Sequence, residues 1–169
     1  MFRFWQRQPA ILSSPVPVPL EPIGVVRSSL RQQGLPYDNS VEAEVTLRPD
    51  LAPALAGLEG FSHVTVVFWM DQVSREGRAL RQTRPGATAR MPVVGVFATR
   101  TQNRPNPVGV TTVKLLRVVE ASVWVQGLDA LDGTPVLDLR PYLPPYDAFP
   151  DATMPPWVLG TTTDLDARP

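Results

Sequence analysis

The sequence contains no cysteine and only one histidine, His63. The absence of cysteine excludes disulfides, thiolate metal sites and a cysteine nucleophile. A single histidine argues against a zinc site made of protein ligands alone, so no metal is expected. No apolar run approaches the roughly 20 residues that span a bilayer, and the N-terminus lacks the apolar core of a signal peptide. These absences predict a soluble, cytoplasmic protein.

The length of 169 residues, 43% of them hydrophobic, fits a single core. Proline is frequent, with 20 residues, and it is concentrated towards both ends. We therefore expect a disordered or extended tail over residues 1–20, one domain over 21–150, and an irregular, proline-rich tail over 151–169.

The net charge is zero, but the charges are unevenly distributed. Residues 75–104 contain seven arginines and one acid, whereas residues 120–169 contain eight acids and two arginines. Such asymmetry is typical of a phosphate-binding face opposite an acidic one. The alternative is a solvated arginine-rich loop, and charge alone does not decide between them.

Most of the chain between the tails is predicted to be β-strand. Residues 41–47 alternate between apolar and polar side chains, as a half-buried strand does. β-Branched and aromatic runs predict six more strands, at 23–28, 61–70, 93–99, 110–119, 122–127 and 135–139. Seven short strands favour an all-β fold, a small antiparallel barrel, because closure removes exposed sheet edges.

Two segments interrupt the strands. Apolar residues from Leu51 to Leu58 fall on one face of a short helix, with Asp50 as its N-cap and Gly57 near its end. Residues 71–92 are polar, arginine-rich and without periodicity, and a loop of this length is usually functional or disordered.

Residues 94–109 form the densest unusual segment. A strand leads to Arg100 and Arg104, prolines flank Asn106 on both sides, and Gly109 is predicted to permit an unusual backbone angle. A stiff loop lowers the cost of holding arginines ready for a carboxylate or phosphate. The alternative is a rigid barrel turn whose arginines meet only water.

Residues 127–142 form a second candidate site. Asp129, Asp132 and Asp138 supply more carboxylate than a turn requires, although Asp132-Gly133 is also a strong hairpin signal. A carboxylate there can hold ribose hydroxyls, pair with a cation or take a proton. His63 lies at a strand start, where a histidine is more often structural than a base. No dinucleotide or P-loop glycine motif occurs, which disfavours a Rossmann-type cofactor site.

Several segments together resemble the TrmO (YaeB/TsaA-like) family. They are IGVVRS at 23–28, LRQQGL at 30–35, LEGFSHVTVVFW at 58–69, GVFATRTQNRPNPVGVTTVKL at 95–115 and LDALDGTPVLDLRPYLPPYD at 128–147. The resemblance covers about residues 22–148. It implies a β-barrel methyltransferase that uses S-adenosyl-L-methionine, acts as a homodimer, and methylates N6 of N6-threonylcarbamoyladenosine 3′ of the anticodon in threonine tRNA.

The resemblance also implies which residues hold the cofactor. They are Leu30, Arg31, Gln32, Asp71, Gln72, Arg100, Val110, Leu128 and Asp129. Family members usually carry histidine where Asp71 stands, which leaves its contact with the cofactor open. The sequence also stops soon after PYLPPYD, without the longer C-terminal extension of some bacterial members, so the acceptor is open as well.

Methyl transfer requires alignment of donor and acceptor and, for an amide-like nitrogen, a group that takes its proton. We expect Asp132 to be this base, with Asn106 and Tyr142 orienting the acceptor, and the arginines of 75–104 to grip the anticodon stem. Two alternatives stay open: a non-catalytic RNA-binding barrel, and a methyltransferase of the same fold with another acceptor.

Overall fold

The computed structural model describes residues 18–32, 38–87 and 91–159. Within these ranges the chain forms eight strands: β1 Gly24–Ser28, β2 Glu42–Leu47, β3 His63–Trp69, β4 Gln82–Thr83, β5 Val94–Gly95, β6 Val108–Val119, β7 Ser122–Gln126 and β8 Pro135–Pro141. It also forms three short α-helices: α1 Arg75–Ala79, α2 Pro144–Asp147 and α3 Pro156–Leu159. The predicted tails lie largely outside the described residues, at 1–17 and 160–169.

Six strands close an antiparallel barrel in the order β1-β2-β7-β6-β3-β8. The predicted all-β barrel is therefore confirmed, with β4 and β5 forming a separate two-stranded ribbon. No helix in the described part is long and apolar enough to cross a membrane.

Alternating side chains explain why these strands close around one core. In β3 the inward residues Val64, Val66 and Phe68 are buried, while His63 is exposed. Valine dominates the core, and its branched side chain suits a pleated, half-buried surface. Bulges interrupt the pairing of β3 with β8 and of β6 with β7. Such bulges increase local twist, as closure of a small barrel requires.

The seam between β1 and β8 is the shortest in the barrel. Gly24 pairs with Val136 and Val25 with Pro135, whereas β3 and β6 pair over seven residues. The turn before β8 extends the seam, because the N–H of Val26 donates to Thr134 O at 2.9 Å and the N–H of Gly133 donates to Val26 O at 2.8 Å.

Two predicted elements are wrong in detail. Of the strand predicted at 93–99, only Val94–Gly95 pairs as a strand, because Val96–Ala98 forms a 3₁₀ turn. The predicted helix is a 3₁₀ helix at Pro49–Leu55 followed by a second at Leu58–Gly60, and Asp50 does not cap it. The first contains Pro53, which lacks the N–H that an α-helix needs.

Two loop interpretations also change. The segment at 71–92, interpreted as a long functional or disordered loop, contains α1 and β4. Asp132-Gly133 does form a turn, with Gly133 at a φ of 82°, but the strands on either side of it are not paired with each other. The turn packs instead against the chain segment that follows β1.

Candidate functional site

A cleft of about 360 Å³ lies where β3 leaves the barrel and β6 enters it. Its walls come from the ends of these strands, from the loop at 99–104 and from Asp129. Arg100, Val110 and Asp129, which three separate sequence segments supply, therefore line one cleft. The volume falls within the range of about 300–1,000 Å³ that is common for small-molecule sites.

The cleft combines opposite charges with an apolar floor. Asp129 is exposed, and its carboxylate accepts a hydrogen bond of 2.6 Å from the Thr111 hydroxyl. Arg100 is exposed and makes no hydrogen bond or ion pair within the described residues. Phe68, which is 3% exposed, and Met70 supply the apolar surface. A ligand with a carboxylate, polar hydroxyls or an amine, and an apolar ring matches this lining.

Asp132, three residues after Asp129, lines a second groove of about 520 Å³. Asp132 lines this groove with Arg31, and the two side chains form an ion pair. The other carboxylate oxygen of Asp132 accepts from the N–H of Ser28 at 3.1 Å, and the N–H of Asp132 donates to Leu30 O at 2.8 Å. The aspartate turn therefore holds the segment at 28–31 in place.

The remaining predicted cofactor residues surround this turn and the cleft. Asp71 and Gln72 are exposed directly after Met70, which lines the cleft. Gln32 is exposed after Arg31. Leu128 is 1% exposed and belongs to the core, so the structure does not place it on the cleft surface.

The structure does not bring all three predicted catalytic residues together. Asn106 is exposed between cleft residues Arg104 and Val108, whereas Asp132 faces the second groove. Tyr142 lies beside His63. The centroids of the two rings are 6.3 Å apart, and the backbone N–H of Tyr142 donates to His63 O at 3.1 Å. That is the end of β3 opposite to the cleft, so within one chain Tyr142 is remote from Arg100.

Several arginines of the 75–104 segment have local partners rather than free guanidinium groups. Four of them donate to backbone carbonyls: Arg78 to Val73, Arg81 to residues 78–80, Arg84 to Met91, and Arg104 to residues 96, 99 and 101. Arg78 also lies over the Trp69 ring. Much of this positive charge therefore stabilises the local backbone of the segment, and Arg104 does so in the loop that lines the cleft, which charge counting did not predict.

Sequence reasoning missed the contacts made across strands. Thr111 reaches Asp129, and Gly109 lies opposite Phe68. Gly109 does not have the positive φ that we predicted. A Cβ at this position would lie 2.3 Å from the Phe68 ring, so the absence of a side chain is what the site requires. The strand register reveals the contact of Gly109 with Phe68, whereas the contact of Thr111 with Asp129 also depends on the loop after β7.

Comparison with known proteins places the chain in a family. The profile of the tRNA-methyltransferase O N-terminal domain matches residues 26–148. An Archaeoglobus fulgidus protein named S-adenosyl-L-methionine-binding protein is 39% identical over 132 residues, which cover 76% of this chain and 91% of that protein. The tRNA (adenine(37)-N6)-methyltransferase of Escherichia coli K12 is 41% identical over 146 residues, covering 79% of this chain but 61% of the enzyme.

A solved structure has the same architecture. The crystal structure of TrmO from Pseudomonas aeruginosa superposes with a TM-score of 0.67 at 34% identity, covering 82% of this chain and 61% of that one. The chain therefore spans about three-fifths of the length of these bacterial relatives. Over most of its own length, it belongs to the tRNA-methyltransferase O (TrmO) family.

Proposed function

We propose that the protein is an S-adenosylmethionine-dependent methyltransferase that acts on N6 of an adenosine in tRNA. The observation that carries this proposal is the meeting of Arg100 and Asp129 in one cleft of suitable size. The two residues lie 29 positions apart, so their meeting depends on the fold. Relatives named as S-adenosylmethionine-binding proteins and as a tRNA methyltransferase support the same assignment.

The residues of the cleft fit the cofactor group by group. Arg100 offers a planar fork for the methionine carboxylate, and Asp129 offers acceptors for ribose hydroxyls or the amino group. Phe68 and Val110 provide apolar surface for the base. When bound, the cofactor supplies an electrophilic methyl group on its sulfonium. The chain must hold that group in line with the acceptor and exclude water.

We propose N6-threonylcarbamoyladenosine next to the anticodon of threonine tRNA as the acceptor. Transfer would break the S–CH₃ bond of the cofactor and the N6–H bond and form an N6–CH₃ bond, so S-adenosylhomocysteine leaves as a neutral thioether and a base must receive one proton. Asp132 stays our prediction for this base, with Asn106 and Tyr142 orienting the acceptor. In a single chain these residues face different surfaces, so their cooperation requires the acceptor to extend beyond the cleft or a second subunit.

Incubation of the protein with radiolabelled S-adenosylmethionine and tRNA, followed by nucleoside mass spectrometry, tests the function. We expect a gain of one methyl group on the modified adenosine, and none on tRNA that lacks the threonylcarbamoyl group. Tight cofactor binding with methylation of another molecule would favour the alternative acceptor. RNA binding without cofactor binding would favour a non-catalytic module.

Replacing Arg100 by glutamine should weaken cofactor binding by about 10- to 100-fold, because a charge-assisted hydrogen bond contributes about 1.5–3 kcal/mol. Calorimetry with S-adenosylmethionine measures this loss. Arg75→Gln is the matched control, since Arg75 is exposed on α1 and does not line the cleft. Equal affinities for the two variants would contradict the assignment of Arg100.

We also propose that the protein is a homodimer. Phe97 is 80% exposed in the turn that leads to Arg100, and Leu80 and Val93 are exposed in the segments that precede β4 and β5. The N–H of Val96 donates to Arg81 O at 3.0 Å, which keeps these apolar residues on adjacent segments. Exposed apolar patches of this kind are typical of interaction surfaces.

Phe97→Glu should shift the protein from dimer to monomer, because a buried carboxylate without a partner is unfavourable in an interface. Sedimentation velocity measures the change. Phe149→Glu is the control, since Phe149 is also exposed, at 71%, but lies beyond α2. A wild-type monomer, or a Phe97→Glu dimer of unchanged affinity, would contradict this interface.

A further inference from the structure

The loop between β5 and β6 receives three hydrogen bonds from the side chain of Arg104. After the 3₁₀ turn at Val96–Ala98, residues 99–107 pair with no strand. Arg104 supplies the missing donors: its Nε donates to Thr101 O at 3.0 Å, and one Nη donates to Thr99 O at 2.7 Å and to Val96 O at 3.4 Å. A planar guanidinium presents five N–H donors in a rigid fork, whereas an ammonium group presents three donors from a single nitrogen.

Two threonine hydroxyls brace the same loop. The Thr99 hydroxyl donates to Val96 O at 2.9 Å and accepts from the N–H of Thr101 at 3.3 Å. The Thr101 hydroxyl accepts from the N–H of Asn103 at 3.2 Å. These bonds connect successive turns of the loop, so its backbone has local support besides Arg104.

Arg100 lies between the two residues whose carbonyls Arg104 binds most closely. With Thr99 O and Thr101 O both directed at the guanidinium, the backbone on either side of Arg100 is fixed. The Arg100 side chain is left exposed and lines the cleft. Preorganisation of this kind lowers the cost of ordering a binding group when its ligand arrives.

We infer that Arg104 is a positioning residue, which presents Arg100 to the carboxylate of the ligand in the cleft. The inference rests on the proposed function, because it takes S-adenosylmethionine as that ligand. Arg104 acts here through the backbone at Arg100, so its effect on binding should depend on the Arg100 side chain.

A double-mutant cycle tests this dependence. We expect Arg104→Lys, which keeps the positive charge, to weaken S-adenosylmethionine binding about tenfold in calorimetry, and Arg100→Gln to weaken it more. In the Arg100→Gln background, Arg104→Lys should change the affinity by less than about twofold. The reason is that Arg104 acts on binding through the Arg100 side chain, so the effects of the two substitutions on the binding free energy do not add. Additive losses, or an unchanged affinity for Arg104→Lys alone, would overturn the inference.

Two further measurements separate this role from a loss of folding. Thermal unfolding shows whether Arg104→Lys is still folded, and Thr99→Val offers a milder change to the same loop. Thr99→Val should weaken binding less than Arg104→Lys does, and this loss too should disappear in the Arg100→Gln background. A loss that persists there would count against positioning.

The cycle also distinguishes failure of the inference from failure of the proposed function. If the wild-type protein bound no S-adenosylmethionine, the proposed function would be refuted and the inference with it. If the wild-type protein bound the cofactor and the two substitutions acted independently, only the positioning role would be refuted.

Discussion

Replacing Gly109 by alanine should destabilise the barrel by about 1–3 kcal/mol and abolish binding of S-adenosylmethionine. The new Cβ would lie 2.3 Å from two carbon atoms of the Phe68 ring, which is 3% exposed. The ring has no free space in the core, so it must move towards the cleft or push β3 and β6 apart. Either movement changes the cleft, because both residues line it. Denaturant unfolding and calorimetry measure the two effects.

Gly60→Ala is the matched control for this substitution. A Cβ at Gly60 would meet nothing within 4 Å, so the free energy of unfolding and the cofactor affinity should stay close to wild type. Adding Phe68→Leu to Gly109→Ala should restore part of the lost stability, since a smaller side chain relieves the overlap. A Gly109→Ala protein with wild-type stability and affinity would contradict this account of the cleft.

Replacing Asp132 by asparagine should lower kcat/KM for S-adenosylmethionine by at least about 100-fold, the typical contribution of a positioned base. The structure gives a second reason for a loss, because the carboxylate also pairs with Arg31 and accepts from the N–H of Ser28. Asparagine keeps an acceptor for Ser28 but not the charge that attracts Arg31. Steady-state kinetics of methyl transfer to tRNA measures the change.

The division of this loss between kcat and KM separates the two roles of Asp132. A base acts in the chemical step, so its removal lowers kcat at saturating cofactor, whereas an anchor of the segment at 28–31 mainly raises KM. Arg31→Gln breaks the same ion pair and leaves the carboxylate intact, so it should raise KM alone. If Asp132→Asn kept kcat within about threefold of wild type, the base role would be wrong.

The fold could be predicted from the sequence where side chains alternate over several residues. The strand at 41–47 and the apolar face of β3 were confirmed for this reason. The strand at 93–99 was wrong because Val96 is buried beside the exposed Phe97 in a 3₁₀ turn, an alternation that does not require extended backbone. The predicted helix failed because Pro53 interrupts α-helical hydrogen bonding.

The site could be predicted only as far as its residues are local in sequence. The resemblance of the segments around Arg100 and Asp129 indicated two turns, and the structure places both at one cleft. The sequence could not show that Arg104 binds its own loop or that Thr111 reaches Asp129. Such contacts depend on loop geometry and strand register. The hydrogen bonds of the arginines to nearby backbone carbonyls likewise form only in the folded chain. A count of charged residues in the sequence therefore does not reveal them.

The short seam between β1 and β8 has a consequence for the motions of the barrel. With only two residue pairs, it is where the cylinder should open first during local fluctuations. The turn that carries Asp132 and Gly133 adds hydrogen bonds to this seam, and Asp129, three residues before Asp132, lines the cleft. A ligand that binds against the turn should therefore reduce local opening of the barrel at this seam. We expect amide hydrogen exchange in β1 to slow when the cleft is occupied.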